Sequence, residues 1–483
     1  METYDLTVRG GRVALPGALV ACDLGVRDGR IVALAERLPA GTRDVDATGR
    51  LVLPGGVDGH CHFDQPTGDG SRMADDFLTG TRSALFGGTT TIIPFAAQVR
   101  GQSLRAAVDD YHARASGKAM IDHAFHLIVT DPTPDVLTRE LPALIAEGYT
   151  SFKIYMTYDD LKLSDRQILD VLSVARDHGA MVMVHAENAD CIAWLTDRLE
   201  ADGKTAPLFH AASRPKVIER EATHRAISFS ELVDVPILIV HVSGADAMEE
   251  IRRAQSRGVS LHAETCPQYL FLSEDDLAGP GFEGAKCICS PPPREAGNQA
   301  AIWQGLATGV FSIVSSDHAP FRYDDPAGKK LKGEDASFRW VPNGIPGVET
   351  RLPLLFAGVA EGRIDLDRFV DLTATAPAKM YGLHPRKGVI AIGSDADLVI
   401  WDARAPVTIA QADLHSACDY TPYEGITVPA WPEVVIQRGA VLAERGRLLA
   451  EPGQGRFLAC DRPAPARPLG ARRPTTLFRA DEA

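Results

Sequence analysis

The sequence lacks the features of membrane, secreted and nucleic-acid-binding proteins. No apolar run approaches the ~18–20 residues that a membrane-spanning helix needs, so we expect no membrane partner. The first residues, METYDLTVRGG, are not a basic segment followed by an apolar one, so we expect no secretory signal. The 64 Asp and Glu residues outnumber the 50 Lys and Arg residues, and this excess of negative charge argues against nucleic acid as a partner. Eight dispersed cysteines do not indicate a disulfide framework, so we expect reduced thiols and a cytoplasmic location.

What the sequence does contain at both ends is the pattern of β structure. Alternating apolar residues near the N-terminus surround Gly10-Gly11 and Asp28-Gly29, two pairs that are typical of two-residue hairpin turns. A similar pattern returns near the C-terminus in DADLVIWD and EVVIQRGAVLAERGRLLA. These segments predict one small β-sandwich domain built from residues 1–56 and 385–460.

Between the two ends, short continuous apolar runs alternate with stretches of helical spacing. The runs include TTTIIPFA, YTSFKIYMT, MVMVHAE and VPILIVHVS, and the helical stretches include DRQILDVLSVARDHG and AMEEIRRAQSRG. Strands buried on both faces lose the alternating pattern, and repeated β–α units imply parallel pairing. Eight such units predict an α/β fold whose core is a (β/α)₈ TIM-type barrel over residues 57–384. Residues 461–483 form a Pro- and Arg-rich tail that we expect to contact another subunit.

Five polar side chains occur where barrel strands are predicted to end, which is where barrel enzymes carry their catalytic groups. His60 and His62 end the first strand, and residues two apart on a strand point to the same side. His185, His241 and Asp317 end the fifth, sixth and eighth strands. A single histidine at such a place is more often a core residue, but five groups at one structural position predict a metal site. Imidazole and carboxylate together suit Zn²⁺, with Mn²⁺ or Fe²⁺ as alternatives.

Lys153 lies within the otherwise apolar fourth strand, YTSFKIYMTY. Lysine is seldom buried without a partner, so an ion pair or a side chain that reaches solvent is the ordinary explanation. Beside four histidines and an aspartate, a second explanation competes with it. A neutral amine can take up CO₂, and the resulting carbamate has two anionic oxygens that are able to bridge two metal ions.

The chain resembles the dihydropyrimidinase/hydantoinase family of the amidohydrolase superfamily. The similar segments run from PGGVDGHCHFD through SFKIYMTY, MVHAEN, HVSGADA, HAETCPQYL, CSPPPR, SSDHAPF and PNGIPGVE to CDYTPYEG. A His-x-His pair alone is common. The pair followed in order by the strand-four lysine, two single histidines and the SSDH segment is highly specific.

The resemblance implies a site with two divalent metal ions, most simply Zn²⁺. His60, His62 and Asp317 would bind one ion, His185 and His241 would bind the other, and Lys153, carboxylated by CO₂, would bridge them.

The resemblance also implies the catalytic and substrate-binding residues. Tyr158 would stabilise an oxyanion, and Asp317 would act as a base and then as an acid. Ser290 and Asn343 would hold the imide or ureide edge of a ring, although among Pro and Gly they would otherwise be read as turn residues. The implied reaction opens a dihydropyrimidine or a 5-substituted hydantoin to an N-carbamoyl amino acid, in a homotetramer.

Two alternatives and one question of specificity remain open. Allantoinase and dihydroorotase share this fold and these ligands, and dihydropyrimidinase-related scaffold proteins have lost the ligands that are present here. Gln65 and Thr67 make the loop after the first strand polar. Arg100, in the loop after the second strand, would either bind an anionic substituent of the ring or be a solvated loop residue.

Overall fold

The structure is a computed structural model that describes residues 4–470, and two nine-stranded sheets dominate that range. The strands before the barrel are β1 (Leu6–Leu15), β2 (Ala18–Arg27), β3 (Arg30–Ala35), β4 (Arg43–Asp46) and β5 (Leu51–Pro54). The barrel strands are β6 (Gly56–Cys61), β7 (Thr89–Ala97), β8 (Asp122–His123), β9 (His126–Ile128), β10 (Ser151–Tyr155), β11 (Met181–His185), β12 (Ile237–Ile239), β13 (Leu261–Thr265) and β14 (Ile313–Val314). The later strands are β15 (Leu398–Trp401), β16 (Val407–Thr408), β17 (Thr427–Val428), β18 (Pro432–Gln437), β19 (Ala440–Glu444) and β20 (Arg447–Leu448).

Helices follow most of the barrel strands, as the repeated β–α pattern predicts. The first seven are α1 (Phe77–Phe86), α2 (Leu104–Ala115), α3 (Leu141–Ala146), α4 (Asp165–His178), α5 (Ala189–Ala201), α6 (Phe209–Ala212) and α7 (Lys216–Val233). The others are α8 (Ala245–Ser256), α9 (Gln268–Phe271), α10 (Gly297–Thr308), α11 (Arg351–Ala360), α12 (Leu366–Val370) and α13 (Ala376–Met380). None of the helices in the described range is long and apolar enough to cross a membrane.

The central sheet is parallel throughout and nearly closes into a barrel. Its order is β14-β13-β12-β11-β10-β9-β7-β6, with β8 paired to β7. The strands are buried on both faces: Phe152 and Ile154 of β10 belong to the layer beneath the helices, and Met181 and Met183 of β11 belong to the barrel interior. Double burial explains why the strand sequences are continuously apolar. The predicted TIM-type fold is confirmed.

The gap between β6 and β14 is closed by irregular backbone and one buried side chain. The backbone N–H of Asp317 donates to the carbonyl oxygen of His60 at 2.9 Å. The fully buried Arg351 donates from Nη1 to the carbonyl oxygens of Val57 and Val314 at 3.1 and 3.0 Å. A guanidinium presents several donors in a fixed fork, so it can join two strand ends that do not pair directly. These hydrogen bonds form a seam between β6 and β14, which holds the first barrel strand against the last.

The second sheet combines strands from both ends of the described chain, in the order β20-β19-β18-β15-β5-β1-β2-β3 with β4 on β1. It has its own apolar core, to which Leu24, Val52, Leu398 and Ile436 contribute. A small β domain assembled from both ends is therefore confirmed. Its predicted boundaries after residues 56, 384 and 460 stay a prediction.

One of the two predicted hairpins is in a different place. Asp28 and Gly29, with φ of 52° and 75°, form the two-residue turn between β2 and β3. The prediction for Gly10-Gly11 is wrong, because both glycines lie inside β1, where the register with β2 shifts between Val8 and Gly11. Gly10 has a φ of 66°, the left-handed conformation that a bulge requires as much as a turn does. The glycine pair therefore marks a bulge.

The last described residues cross the end of the barrel opposite the site. Thr150, just before β10, donates from its hydroxyl to the carbonyl oxygen of Asp461. His262 of β13 lies 3.3 Å from the carbonyl oxygen of Pro465. The remainder of the predicted tail, residues 471–483, lies outside the described residues, so its contact with another subunit stays a prediction.

Candidate active site

Two histidines and an aspartate meet where β6 and β14 end. His60 is in β6, His62 follows that strand, and Asp317 lies three residues beyond β14. Asp317 Oδ1 is 3.1 Å from His60 Nε2 and 3.5 Å from His62 Nε2. The ligand atoms of the three residues all lie within 4.8 Å of one another, which makes them a candidate metal site. The seam between the first and last strands positions this group.

The other two predicted histidines face each other beside it. His185 ends β11 and His241 lies two residues beyond β12, and both are 2% exposed. His241 Nε2 is 2.9 Å from His185 Nδ1. The ring of His241 is also 5.4 Å from that of His60, centroid to centroid. Burial lowers the pKa of both imidazoles, so they are neutral and can offer lone pairs.

Lys153 lies beside His60, between two aromatic rings. Its Nζ lies 3.2 Å from His60 Nε2, between the rings of Phe95 and Tyr155 at 5.2 and 5.3 Å from their centroids. The side chain is fully buried. Burial lowers the pKa of Lys153 to about 8, although the carboxylates of Glu264 and Asp317 act in the opposite direction. The amine is therefore neutral more often than that of a surface lysine.

Buried carboxylates orient two of the histidines. Glu264 Oε1 lies 2.6 Å from His60 Nδ1, and Glu187 Oε2 lies 2.7 Å from His185 Nε2. With a proton on the nitrogen that faces the carboxylate, each ring directs its other nitrogen at the centre of the cluster. This is the arrangement of a ligating histidine, and the donor set fits a divalent cation that prefers nitrogen and oxygen.

Neither of these orienting carboxylates was predicted from the sequence. Glu187 occurs in HAEN and Glu264 in HAET, so an acidic residue at the end of each apolar run was the available signal. Burial alone would raise the pKa of Glu187, but Arg214 and the hydrogen-bonded His185 lower it to about 2. Glu187 is therefore ionised. Gln65 has the same orienting function for His62, with Oε1 2.7 Å from Nδ1.

Tyr158 and Ser290 lie next to the second pair of histidines. The ring of Tyr158 is 5.5 Å from that of His185, centroid to centroid, and its hydroxyl forms a hydrogen bond with Ser290. Ser290 Oγ in turn donates to Glu187 Oε2 at 3.2 Å. Burial raises the pKa of Tyr158, so its hydroxyl stays protonated and can donate a hydrogen bond.

Asn343 lies in a segment that contacts both neighbouring loops. The backbone N–H of Gly344 donates to the carbonyl oxygen of Ile288 at 3.0 Å, and that of Ala319 donates to Ile345 at 3.0 Å. Asn343 is half-buried, and its buried Oδ1 has no hydrogen-bond partner within the described chain. The structure thus brings every predicted site residue to one end of the barrel.

Three site residues share an unusual backbone conformation. Tyr158, His241 and Asp317 have φ of 66°, 39° and 48°. Residues other than glycine seldom adopt this left-handed region, and such strain is concentrated at functional sites. Here the conformation turns the chain sharply at the end of a strand.

Arg100 is at the surface and its guanidinium is already bonded. It donates to the carbonyl oxygens of Asp160 and Lys162 at 3.0 and 2.9 Å. These acceptors belong to the loop that carries Tyr158. The contacts favour a structural function of Arg100 over the binding of an anionic substituent.

Four histidines and an aspartate lie at the carboxyl ends of parallel barrel strands, around the buried Lys153 of β10, which is the arrangement of barrel enzymes that use metal ions. The sequence profile of the Amidohydrolase family matches residues 51–442, and the chain belongs to this family. The predicted resemblance is thereby confirmed.

Similar proteins and similar solved structures are hydantoinases and dihydropyrimidinases. The D-hydantoinase of Rhizobium radiobacter is 44% identical over 94% of this chain and 98% of its own. That of Ralstonia pickettii is 45% identical over 94% of this chain and 98% of its own. The crystal structure of dihydropyrimidinase from Brevibacillus agri NCHU1002 superimposes with a TM-score of 0.91 at 41% identity, covering 94% of this chain and 98% of the other.

Proposed function

We propose that this protein is a binuclear metal-dependent cyclic amidohydrolase that opens a dihydropyrimidine or a 5-substituted hydantoin to an N-carbamoyl amino acid. The observation that carries the proposal is the arrangement around Lys153. Its buried amine lies 3.2 Å from His60 Nε2, and His60 lies 3.1 Å from Asp317. Hydantoinase relatives at 44–45% identity over 94% of the chain support the choice of substrate class.

The residues fit two divalent cations. His60, His62 and Asp317 would hold one ion, and His185 and His241 the other. Lys153 would add its amine nitrogen to CO₂ and release one proton, and the carbamate would bridge the ions. Zn²⁺ suits this set of nitrogen and oxygen donors, and Mn²⁺ is the alternative. When bound, such ions supply Lewis acidity and lower the pKa of water.

The chemistry of the chain's own side chains follows from their positions. The carboxylate of Asp317 accepts the proton of the attacking water and passes it to the ring nitrogen that leaves. The hydroxyl of Tyr158 donates a hydrogen bond to the carbonyl oxygen as it becomes negative. Main-chain groups at Ser290 and Asn343 hold the opposite edge of the ring.

The test is a panel of rings offered to the metal-loaded enzyme with bicarbonate present. The panel contains dihydrouracil, hydantoin, 5-phenylhydantoin, allantoin, dihydroorotate and succinimide, and ring-opened acids are detected. We expect dihydrouracil or a 5-substituted hydantoin to react fastest. Preference for allantoin or dihydroorotate would contradict the proposed substrate but leave the proposed metal site unchanged. Stoichiometric metal without turnover of any ring would contradict the proposed substrate class, and protein that binds no metal would indicate a scaffold.

Two broader properties complete the proposal. We propose a homotetramer, to which the C-terminal tail contributes, and a cytoplasmic location. Sedimentation of the full chain and of a chain that ends at residue 470 tests the first property, since loss of the tail is expected to weaken the assembly.

A further inference from the structure

A buried lysine that the proposed chemistry does not use lies behind the substrate-binding segments. Lys329 belongs to the loop that follows Asp317, and its side chain is only 1% exposed. The backbone places it closely: a Cβ at Gly328 would lie 2.0 Å from the carbonyl oxygen of Arg322, and the N–H of Lys329 donates to that oxygen at 2.8 Å. The side chain therefore enters the interior from a tight turn.

The ammonium of Lys329 bonds to two main-chain carbonyl groups. Nζ donates to the carbonyl oxygen of Ile288 at 2.9 Å and to that of Pro342 at 2.7 Å. The ionisable groups that act on the pKa of Lys329 are the thiols of Cys289, Cys418 and Cys287, which are neutral because burial raises their own pKa values. A buried charge with neutral acceptors is costly, and burial lowers the pKa of Lys329 to about 7. The two hydrogen bonds to main-chain oxygens are therefore the contacts that hold this buried side chain in place.

The two acceptors identify that contact. Ile288 lies two residues before Ser290, and Pro342 immediately precedes Asn343. The same two segments meet directly where the N–H of Gly344 donates to the oxygen of Ile288. The donors of an ammonium diverge at the tetrahedral angle, so its two acceptors are held roughly 4–5 Å apart. The Lys329 side chain thus adds a second link between the two segments, beside the hydrogen bond from Gly344 to Ile288, and limits the distance between them.

We propose that Lys329 is a positioning residue for the substrate, whose terminal amino group holds the Ser290 and Asn343 segments at the spacing that the ring requires. The inference rests on the proposed function, because that function places the edge of the ring between these segments. Lys329 touches neither the predicted metal ligands nor Tyr158 through its hydrogen bonds. Its removal is therefore expected to weaken substrate binding more than it slows the chemical step.

The chain contains a matched control beside it. Lys330 is the next residue of the same loop, but its Nζ pairs at the surface with Asp324 and Glu334, at 2.9 and 2.7 Å. Lys330→Met makes the same chemical change without touching the two carbonyl groups. The comparison of Lys329→Met with Lys330→Met therefore separates the buried contact from the loss of a lysine in this loop.

The experiment measures steady-state kinetics of both variants on the best ring of the panel, together with metal content. For Lys329→Met we expect KM to rise about tenfold, kcat to fall less than about threefold, and metal content to equal that of the wild type. Peptides covering residues 286–291 and 341–346 should exchange amide hydrogen faster than in Lys330→Met. Lys329→Arg keeps the charge and several donors, so it should recover part of the KM.

Several results would overturn the inference. A KM of Lys329→Met equal to that of Lys330→Met would do so, as would a loss of kcat or metal without a change in KM. Failure of both Lys329 variants to fold would show a purely structural residue. If the wild type opens no ring, the proposed function fails first and the inference fails with it, whereas an active wild type with equal variants refutes the inference alone.

Discussion

At the scale of single residues, Asp317 combines two functions that substitution can separate. Its Oδ1 lies within 3.5 Å of ring nitrogens of both His60 and His62. Asn has the same shape and one oxygen with which to bind a cation, but it cannot accept a proton. We therefore expect Asp317→Asn to lower kcat by about 10²–10⁴-fold while most of the metal stays bound.

The measurement combines turnover with metal analysis of the same sample. Asp324→Asn is the control, because Asp324 belongs to the same loop and its side chain is 81% exposed. Turnover of Asp317→Asn close to that of the control would refute the proton-transfer function. Loss of all metal would show that Asp317 acts mainly as a ligand.

Glu264 acts one step further from the reaction. Its Oε1 faces His60 Nδ1 at 2.6 Å and also accepts the backbone N–H of His241 at 3.0 Å. Burial raises the pKa of Glu264 to about 8, although Lys153 opposes this effect. Glu264→Gln keeps an acceptor but cannot take the ionised form, in which the carboxylate makes the imidazole a stronger ligand. We expect metal affinity to fall by about 10–100-fold, with activity recovering at high metal concentration. Competition with a chelator measures this affinity, and a value equal to that of the wild type would contradict the orienting function.

At the scale of elements, the loop after β10 depends on a residue from another loop. The N–H groups of Leu161 and Lys162 both donate to the carbonyl oxygen of Tyr158, at 2.9 and 2.7 Å. Arg100 fastens this turn through the carbonyl oxygens of Asp160 and Lys162. Since Tyr158 must keep its hydroxyl in place, we expect Arg100→Ala to lower kcat several-fold on every ring.

The ratio of kcat/KM for dihydroorotate to that for dihydrouracil decides between the two functions of Arg100. An unchanged ratio is the expected result and agrees with fastening of the loop. A selective loss with the anionic ring would instead support binding of its carboxylate. Arg105→Ala serves as control, because Arg105 of α2 forms an exposed ion pair with Glu147, the residue after α3.

Among the elements, the barrel strands could be predicted from the sequence, but the contacts of single residues beside them could not. The strands were predictable because burial on both faces makes them continuously apolar, so His185 and Lys153 could be placed on them. The orienting Glu264 was not singled out, because one acidic residue after an apolar run has the same pattern whether it faces solvent or an imidazole. Gly10 was misplaced because a bulge and a turn ask for the same φ.

At the scale of the whole molecule, contacts between distant segments could not be predicted. Arg351 closes the barrel against Val57 across 294 positions of the chain. Asp122 and Lys387 pair across 265 positions. Periodicity describes only neighbours along the chain, so an isolated Arg or Lys in an otherwise ordinary segment gives no indication of a distant partner. The grouping of the four histidines with Asp317 followed from their shared place at strand ends, whereas only the resemblance to a family added Tyr158, Ser290 and Asn343 to the site.

Lys387 joins the barrel to the second sheet. Its Nζ lies 2.7 Å from Asp122 of β8, and 3.0 and 2.8 Å from Asp395 and Asp397, which precede β15. Burial would lower the pKa of Lys387, but the three carboxylates together raise it. Arg438 stays paired with Asp122 when Lys387 is removed, but the buried Asp397 loses its ion pair. Breaking a buried pair from one side is costly, so we expect Lys387→Met to lower the free energy of unfolding by about 3–5 kcal/mol.

The pH dependence of unfolding shows whether uncompensated charge causes the lower stability of Lys387→Met. Without Lys387, Arg438 still pairs with Asp122, but Asp397 loses the ammonium that opposes the effect of its burial. The pKa of Asp397 in the folded state should therefore rise further above the unfolded value of about 3.9. Groups with a raised folded pKa destabilise the fold as pH rises, because the folded state then holds protons that the unfolded state releases. The deficit of Lys387→Met in urea unfolding should therefore be largest at pH 7 and smaller at pH 5. Arg105→Met, which breaks only an exposed pair, should differ from the wild type by less than about 1 kcal/mol at both values. A deficit of Lys387→Met that is independent of pH would mean that lost packing, and not uncompensated charge, weakens the junction.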